Sequence, residues 1–558
     1  MSAKPEMTAS NAMKGHAMSR MKLVMAAAIA AAVVQLLCVH PADAATPAAG
    51  ATDDAAPKPP IKRAGPDDLA PRTAIVVQDN VAMRAAAKDS APAQAQLWRG
   101  EALEIRGERP DHFQVYDYRR ERGGFVRKSA LLPLSGSAAQ PESLLAALRV
   151  VRQQPGMEAL GLGLAAAYVQ AASVARINGP EGAEALDAMG SLAERLAERA
   201  SRATPRPDGA LTSADTQVAA QLDVAARYGL RFRTLEREGG AMQLCYDGEA
   251  FRRVLAMAAA TPEQKARAAL ALTRTDCLDP AATPAQREPM DQWRADVLDK
   301  VDLGDPLLAT FWRNRVLMRQ TGVWSSLAFL RARRVSVPAQ LQVDAASAAA
   351  RRALEAFARV VPAELSDDDQ PSYNDAAMRG NAMRWLALPA GPSEQSIGGF
   401  RLSTAAGPAG ETCLTLTLNG AREGSAALLR HCGWGLLMTA SARINREGNA
   451  IAIASMPMDG WRELWLLRRA PQGWRVTVLP PVAAQPGLGY AEFAGWVPGG
   501  KEALVARESR AEGRYKRSYE LVDLDTLETK RQAGDAAMLG AFQRWQAADW
   551  RGGTLSLR

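Results

Sequence analysis

The chain has 558 residues, of which 47% are hydrophobic and 23% charged, and its formal net charge is +8. This length exceeds what one hydrophobic core supports, so roughly two to four domains are expected, and the composition is that of a folded protein. The basic residues are mostly arginines interleaved with acids, as in Glu194, Arg195, Glu198 and Arg199, which indicates solvated helix faces and argues against nucleic-acid binding.

The N-terminal segment 1–44 predicts a secretory signal peptide. Lys22 precedes an apolar run that extends to Leu37, and Ala42-Asp43-Ala44 is a small-x-small cleavage site. The apolar run is too short for a stable membrane anchor, and Leu37 precedes Cys38 where lipoprotein processing needs a small residue. We therefore expect cleavage after Ala44, a periplasmic or similarly oxidising location, and no transmembrane anchor in the mature chain.

Two segments of different character follow the signal peptide. Residues 45–71 are rich in Ala, Pro, Asp and Gly and predict a disordered linker. From residue 72 to 134 hydrophobic and polar residues alternate, with strand-like runs at 74–77, 102–105 and 113–116 between polar turns. This pattern predicts a small β domain.

Several short motifs in this β segment occur in an order that resembles the bacterial SH3 (SH3b) family. They are Asn80-Val81 with Arg84, Leu97-Trp98-Arg99-Gly100-Glu101, Phe113-Gln114-Val115, Gly124-Phe125-Val126, and Leu131. Two departures from the family pattern are Ala82-Met83, which separate Val81 from Arg84, and Phe113, which stands where the family usually has Trp. The resemblance implies an SH3-like barrel over 72–134 that recognises cell-wall peptides or other short protein segments.

Strand alternation predicts which side chains this barrel presents to a ligand. If Phe113 and Val115 point into the core, the residues between and after them point outward. Trp98, in the turn before Gly100, is expected at one edge of the same face. The candidate ligand-binding residues are therefore Trp98, Gln114, Tyr116 and Tyr118. The alternative is that the tyrosines pack against the helical region that follows.

The segment 135–390 predicts an irregular α-helical domain of antiparallel hairpins, because its hydrophobic period is 3.6 residues. Asp305-Pro306 is expected to cap and open one helix, which continues through Leu308 and Trp312. Two further helices are indicated by the apolar stripes Leu186, Met189, Leu192 and Leu196, and Leu354, Phe357 and Val361. No fixed repeat of roughly 33–47 residues is present, so a regular solenoid is not expected.

Four cysteines follow the signal peptide, and an even number in an exported chain favours disulfides. Asp247 and the capping box at 261–264 predict two antiparallel helices whose packing brings Cys245 and Cys277 together. Nearest-neighbour pairing therefore predicts the disulfides Cys245–Cys277 and Cys413–Cys432. Four thiolates on zinc are the rival interpretation, but the CxxC spacing typical of such sites is absent.

The segment 391–558 predicts an antiparallel β domain, either a sandwich or a partial propeller-like sheet, with a closing helix. Alternating Leu and Thr at 414–418 lead into Asn419-Gly420, a strong hairpin signal. The stretch 490–525 weakly resembles one blade of the periplasmic propeller repeats, yet a closed six-bladed propeller needs about 40–50 residues a blade and does not fit. Apolar residues at 538–545 predict the closing helix.

The sequence provides no catalytic constellation, no metal site and no cofactor motif. After the signal peptide only two histidines remain: His112, expected to be solvated at a strand edge, and His431, which adjoins Cys432. The acidic run 367–369 is expected to form a hydrated loop. Gly161-Leu162-Gly163 is expected to be a helix contact, because no strand precedes it as a dinucleotide fingerprint requires.

These expectations combine into a multidomain α+β protein with an SH3-like barrel, a helical domain and a C-terminal β domain. The leading functional hypothesis is an exported, envelope-associated binding or scaffolding protein whose partner is a cell-wall peptide or another protein segment. The first alternative is a cell-wall hydrolase that uses a pair of carboxylates. The second is that the barrel is purely structural.

Overall fold

The computed structural model describes residues 72–137, 139–202, 212–334, 339–388, 393–422, 425–483 and 487–553. The predicted signal peptide and linker lie outside the described residues. Within them the chain forms a β module, a helical region and a β region, so the expected mixture of helices and antiparallel sheets is confirmed. None of the helices in these ranges combines the length and apolar character that a membrane span requires.

The β module is a seven-stranded antiparallel sheet with the strand order β3-β2-β6-β5-β4-β1-β7. Its strands are β1 (Arg72–Val76), β2 (Val81–Arg84), β3 (Ala93–Leu97), β4 (Ala102–Glu108), β5 (His112–Asp117), β6 (Arg122–Arg127) and β7 (Leu131–Pro133). Ala74 and Val76 of β1 face the module's own core, whereas Ile75 between them packs into the core of the helical region. The two faces of β1 therefore join the module to the helices.

The helical region contains eleven described helices and one β-hairpin. They are α1 (Gln140–Val151), α2 (Glu158–Ala171), α3 (Val174–Ile177), α4 (Pro180–Ser201), α5 (Ser213–Arg227), α6 (Glu249–Ala256), α7 (Pro262–Leu272), α8 (Pro284–Leu298), α9 (Thr310–Ala332), α10 (Ala339–Ala358) and α11 (Gln370–Met383), with the hairpin β8 (Phe232–Glu236) and β9 (Met242–Tyr246) between α5 and α6. The stripe expected on α4 is confirmed by the burial of Leu192 and Leu196. The hairpin was not indicated by the hydrophobic period.

Two details of the helical region differ from the sequence-based expectation. Helix α9 begins at Thr310, because Asp305 caps a turn by accepting a hydrogen bond from the Leu307 amide at 2.8 Å and does not start the helix. The inner face of α10 consists of alanines at 346, 349, 350, 353 and 356, whereas Val361 is exposed. A methyl side chain lets α9 and α10 approach closely, so small residues are buried in place of the larger ones.

Both predicted disulfides are present. Cys245 on β9 is bonded to Cys277, and Cys413 on β12 is bonded to Cys432 on β13. The first crosslink lies in the helical region, and it joins the start of the α6–α7 hairpin to its end, as the capping box of Thr261 predicted. Since the two pairs belong to different regions, the four sulfurs do not form one zinc site.

The β region consists of three successive four-stranded antiparallel meanders. The first comprises β10 (Glu394–Ile397), β11 (Phe400–Ala406), β12 (Thr412–Leu418) and β13 (Leu429–Gly433); the second β14 (Leu436–Ile444), β15 (Ala450–Met458), β16 (Trp461–Ala470) and β17 (Gly473–Leu479); the third β18 (Leu488–Val497), β19 (Glu502–Ala511), β20 (Arg514–Asp523) and β21 (Thr529–Ala533). A short parallel contact between β16 and β18 links the second and third into one open sheet.

The second meander is covered on both faces. Alternate residues of β15 and β16 point in opposite directions, so Ala452 and Leu466 pack on the third meander while Ile453 and Leu467 pack on the first. The outer face of the third meander is covered in turn by α12 (Gly540–Trp545) and α13 (Ala548–Gly553). Two-sided burial explains the nearly continuous apolar sequence of β15.

Two expectations for the β region need correction. Asn419-Gly420 does not form a two-residue hairpin, because β12 ends at Leu418 and β13 begins only at Leu429. The closing helix is shorter than expected: α12 buries Phe542, whereas Met538 lies before it and is exposed. A local turn signal predicts where the chain bends, but it does not determine which residues form the next pair of strands.

A buried ion cluster joins the helical region to the β region. The carboxylate of Glu492 on β18 is 3% exposed and binds the guanidiniums of Arg462 and Arg384. Arg462 also donates to the backbone carbonyl of Asn381 on α11 at 2.8 Å, and the Trp385 indole donates to Glu492 at 3.3 Å. Burial lowers the pKa of Arg462, since the charged form loses its hydration.

Removal of either disulfide should lower the free energy of unfolding by about 3–4 kcal/mol, because each crosslink closes a loop in the unfolded chain. The sequence separations are 32 residues for Cys245–Cys277 and 19 for Cys413–Cys432. Urea unfolding of the Cys245→Ser/Cys277→Ser variant under oxidising conditions measures the first effect. If wild type and variant unfold at the same urea concentration, the crosslink does not stabilise the fold.

Glu492→Ala should lower the free energy of unfolding by about 3–5 kcal/mol, because it leaves Arg462 buried without a counter-charge. The matched control is Glu249→Ala, which removes a half-exposed carboxylate that pairs with Arg252 and Arg253 on the surface of α6. The control should change stability by less than about 1 kcal/mol. Similar losses for the two variants in chemical denaturation would contradict the role given to Glu492.

Candidate functional site

The candidate site is the outward face of β4 and β5 in the β module. Phe113 and Val115 are buried, and Tyr116 is half-buried on the opposite face, as strand alternation predicts. Tyr118, in the turn after β5, is 67% exposed. The tyrosines are therefore not sealed under the helices.

Two side chains of β4 complete this face. The Tyr118 hydroxyl donates to the Glu104 carboxylate at 2.8 Å, and Arg106 donates to the same oxygen at 2.9 Å. The Arg106 guanidinium lies 3.7 Å from the centre of the Tyr116 ring, and the two tyrosine rings meet edge to face at 5.0 Å. Cation–π and aromatic contacts of this kind fix the side chains in one arrangement.

Arg106 lies on this face at a bulge in β4. Glu104 is opposite Tyr116 and Gly107 is opposite Gln114, so Arg106 is the additional residue between two paired positions. We define the tyrosine face as Glu104, Arg106, Gln114, Tyr116 and Tyr118. Glu104 and Arg106 were not predicted from the sequence, although their alternation with the buried Leu103 and Ile105 was a usable signal.

Gln114 and Trp98 are the other two site residues predicted from the sequence, and only Gln114 lies near the tyrosines. Gln114 is exposed and covers Gly107 on the neighbouring strand, so it belongs to the tyrosine face. Trp98 is half-buried in the turn after the edge strand β3. Within the described ranges no ring contact joins Trp98 to either tyrosine. The structure thus brings three of the four candidates together and leaves Trp98 apart.

The turn that carries Trp98 is one of the places where the module contacts the helices. Gly100 lies directly against the backbone of Ala159 on α2, where an added Cβ would be 2.3 Å from the Ala159 carbonyl oxygen. Gly163, one turn along α2, leaves room for the Gly100 carbonyl, which accepts a hydrogen bond from Tyr228 at 2.6 Å. Gly161 and Gly163 therefore serve close packing of a helix, as expected.

Charged pairs hold the same contact. The carboxylate of Glu101 is buried and binds Arg120 of the module and Arg227 of α5, at 3.0 and 3.1 Å respectively. Gln217 of α5 donates to Asp79 at 2.7 Å. Arg119, in the turn directly after Tyr118, also pairs with Asp223 of α5, whereas the Tyr118 ring itself stays exposed.

The histidines and the acidic run show no catalytic arrangement in the described residues. His112 is buried, not solvated as expected, and its Nε2 lies 3.7 Å from Asp89, which Arg127 already binds. His431 packs edge to face on Trp465. Asp369 is also buried and pairs with Arg315, so only the first two acids of the run form a hydrated turn.

Metal-ligating groups converge at one place in the described residues, where Glu411 lies beside Cys413 and Cys432. The two sulfurs are bonded to each other and are not available as thiolates. The set therefore offers a single carboxylate, too few ligands for a metal ion.

No family model, no curated protein and no solved structure matches this chain. The function of this protein is therefore inferred from the geometry of the tyrosine face.

Tyr118→Phe should raise the pKa of the Glu104 carboxyl. Hydrogen bonds from Tyr118 and then Arg106 hold that pKa below its ordinary value of 4.5, so loss of the phenol removes the larger cause. An NMR pH titration of Glu104 measures the change, and Tyr116→Phe is the control because its hydroxyl makes no bond to Glu104 among the described contacts. An unchanged pKa in Tyr118→Phe would contradict the geometry of the face.

Proposed function

We propose that this protein is an exported binding protein whose β module, an SH3-like barrel, recognises a short peptide segment such as a cell-wall peptide. The observation that carries the proposal is the exposure of Tyr118 beside the half-buried Tyr116 on a module that is otherwise firmly packed. The export signal and the partial propeller-like form of the β region belong to the same proposal.

The tyrosine face has the composition of a peptide-binding surface. Tyrosine offers a large apolar contact area and a hydroxyl while losing little conformational freedom on binding. Glu104 and Arg106 are already held by the rings and by each other, so their side chains lose little further conformational freedom when a ligand binds. Peptides carry amide, amino and carboxylate groups that match these donors and acceptors.

The docking of the module supports recognition over a purely structural role. A barrel that only plugged the helical region would direct its aromatic side chains toward that region. Here Ile75, Gly100, Glu101 and Arg119 make contacts with the helical region, and Tyr118 remains exposed to solvent. The helical region thus acts as a rigid support for the face.

The test is retention of the full chain on insoluble peptidoglycan. Wild type should be retained, and the Tyr116→Ala/Tyr118→Ala variant should bind at least about tenfold more weakly, since two central aromatic contacts are each worth more than 1 kcal/mol at typical interfaces. Phe311→Ala is the control, because it removes a partly exposed ring far along the chain on α9.

Equal retention of wild type and the double variant would refute the role of the tyrosine face. A fall in the turbidity of a cell-wall suspension caused by the protein alone would instead favour the hydrolase alternative.

A further inference from the structure

A second feature, separate from the tyrosine face, is a cavity of about 510 Å³ between the helical region and the β region. Helices α7, α8, α9 and α11 contribute to its walls, and β19 contributes one residue. Six guanidiniums line it: Arg287, Arg294, Arg315, Arg319, Arg379 and Arg510. Such a volume accommodates a small organic molecule.

Three of these guanidiniums have a carboxylate of their own. Arg315 binds Asp369 and Arg510 binds Asp375 by short ion pairs, and Arg379 lies 3.4 Å from Asp459. The positive charges of these three residues are therefore balanced within the protein.

Of the other three guanidiniums, two share one carboxylate. Arg287 and Arg294 both bind the buried Asp291, at 2.9 and 2.7 Å. Arg319 has no carboxylate within ion-pair distance in the described part of the chain. The lining itself contains six guanidiniums and three carboxylates, those of Asp276, Asp369 and Asp375. Asp276 binds Arg274 outside the lining, and Glu194 and Glu198 bind Arg274 as well.

Arg319 is the most poorly compensated of the six. Its Nη1 donates to two backbone carbonyls at the end of α7, those of Leu270 and Thr273, and neither carries a charge. Burial, with the neighbouring Arg294, lowers the pKa of Arg319 to about 10. At neutral pH the side chain remains a cation. The charges of Asp276 and Glu194 favour this cation, but no carboxylate of the described residues binds it directly.

We propose that this cavity binds a small polyvalent oxyanion, either a phosphate ester or a di- or tricarboxylate. Guanidiniums present planar pairs of N–H donors that match phosphoryl and carboxylate oxygens. An anion beside Arg319 and the Arg287–Arg294 pair gives Arg319 a direct counter-charge, and the hydroxyls of Ser372 and Thr275 lie in the same lining.

Substitution of Gly322 tests the cavity without changing its charge. It lines the cavity from the middle of α9, and a Cβ built there would meet only the Arg379 side chain at 3.7 Å, an ordinary contact. Gly322→Ala is therefore compatible with the fold, and Gly322→Leu extends a larger side chain into the cavity. These variants separate occupation of the cavity from loss of charge.

The experiment is titration calorimetry of the full chain with pyrophosphate and, in a separate arm, with citrate, at low ionic strength. Wild type should bind at least one of them, and raised salt should weaken that binding. Arg319→Gln should weaken it at least tenfold, Gly322→Leu should abolish it, and Gly322→Ala should leave it within about twofold. Arg253→Gln on the surface of α6 is the control for net charge.

A thermal melt of each variant shows whether it is folded. Arg319→Gln keeps an N–H donor for the backbone carbonyls of Leu270 and Thr273, so it should remain folded without anion. It should lose the rise in melting temperature that the anion gives wild type. Preference for pyrophosphate assigns the phosphate ester, and preference for citrate assigns the polycarboxylate. Absence of binding of both, or equal binding by wild type and folded Gly322→Leu, would overturn the proposal whatever the outcome at the tyrosine face.

Discussion

Buried carboxylates that each bind two guanidiniums tie the described parts of this protein together. A carboxylate taken out of water needs a counter-charge and several hydrogen bonds, and the forked guanidinium supplies both. The arrangement recurs between the β module and α5, between α2 and α4, among α1, α4 and α7, within α8, and between α11 and the β region. The central residues are Glu101, Glu158, Asp187, Asp291 and Glu492.

This use of arginine changes the interpretation of the charge pattern. Arg195 and Arg199 lie on one side of α4 and both bind the buried Glu158, whereas Glu194 and Glu198 both bind Arg274. The interleaved charges are therefore half-buried ion-pair partners of other elements and do not form the solvated helix face that the sequence indicated. At Asp291 one carboxylate binds two guanidiniums, and both of these guanidiniums line the cavity.

The two proposed sites differ in chemistry and in how the fold produces them. At the tyrosine face, the module is anchored to the helices through Gly100, Glu101 and Arg119, while Tyr118 stays exposed and Arg106 packs on the Tyr116 ring. At the cavity, helices and a β-strand bring together six guanidiniums, of which Arg319 has no direct ion pair among the described residues. The first surface suits an extended peptide, and the second suits a compact anion.

The sequence by itself determined the features that depend on local spacing. Period-two and period-3.6 patterns indicated the mixture of strands and helices, the capping box at Thr261 predicted the disulfide of Cys245 with Cys277, and alternation in β5 placed Tyr116 opposite the buried Phe113 and Val115. Only the tertiary structure decided the rest: that His112 is buried, that β13 follows a long connection, and that no carboxylate of the described residues binds Arg319 directly. Those outcomes depend on which distant segments meet, because burial and ion pairing are properties of the neighbours that folding brings to a residue.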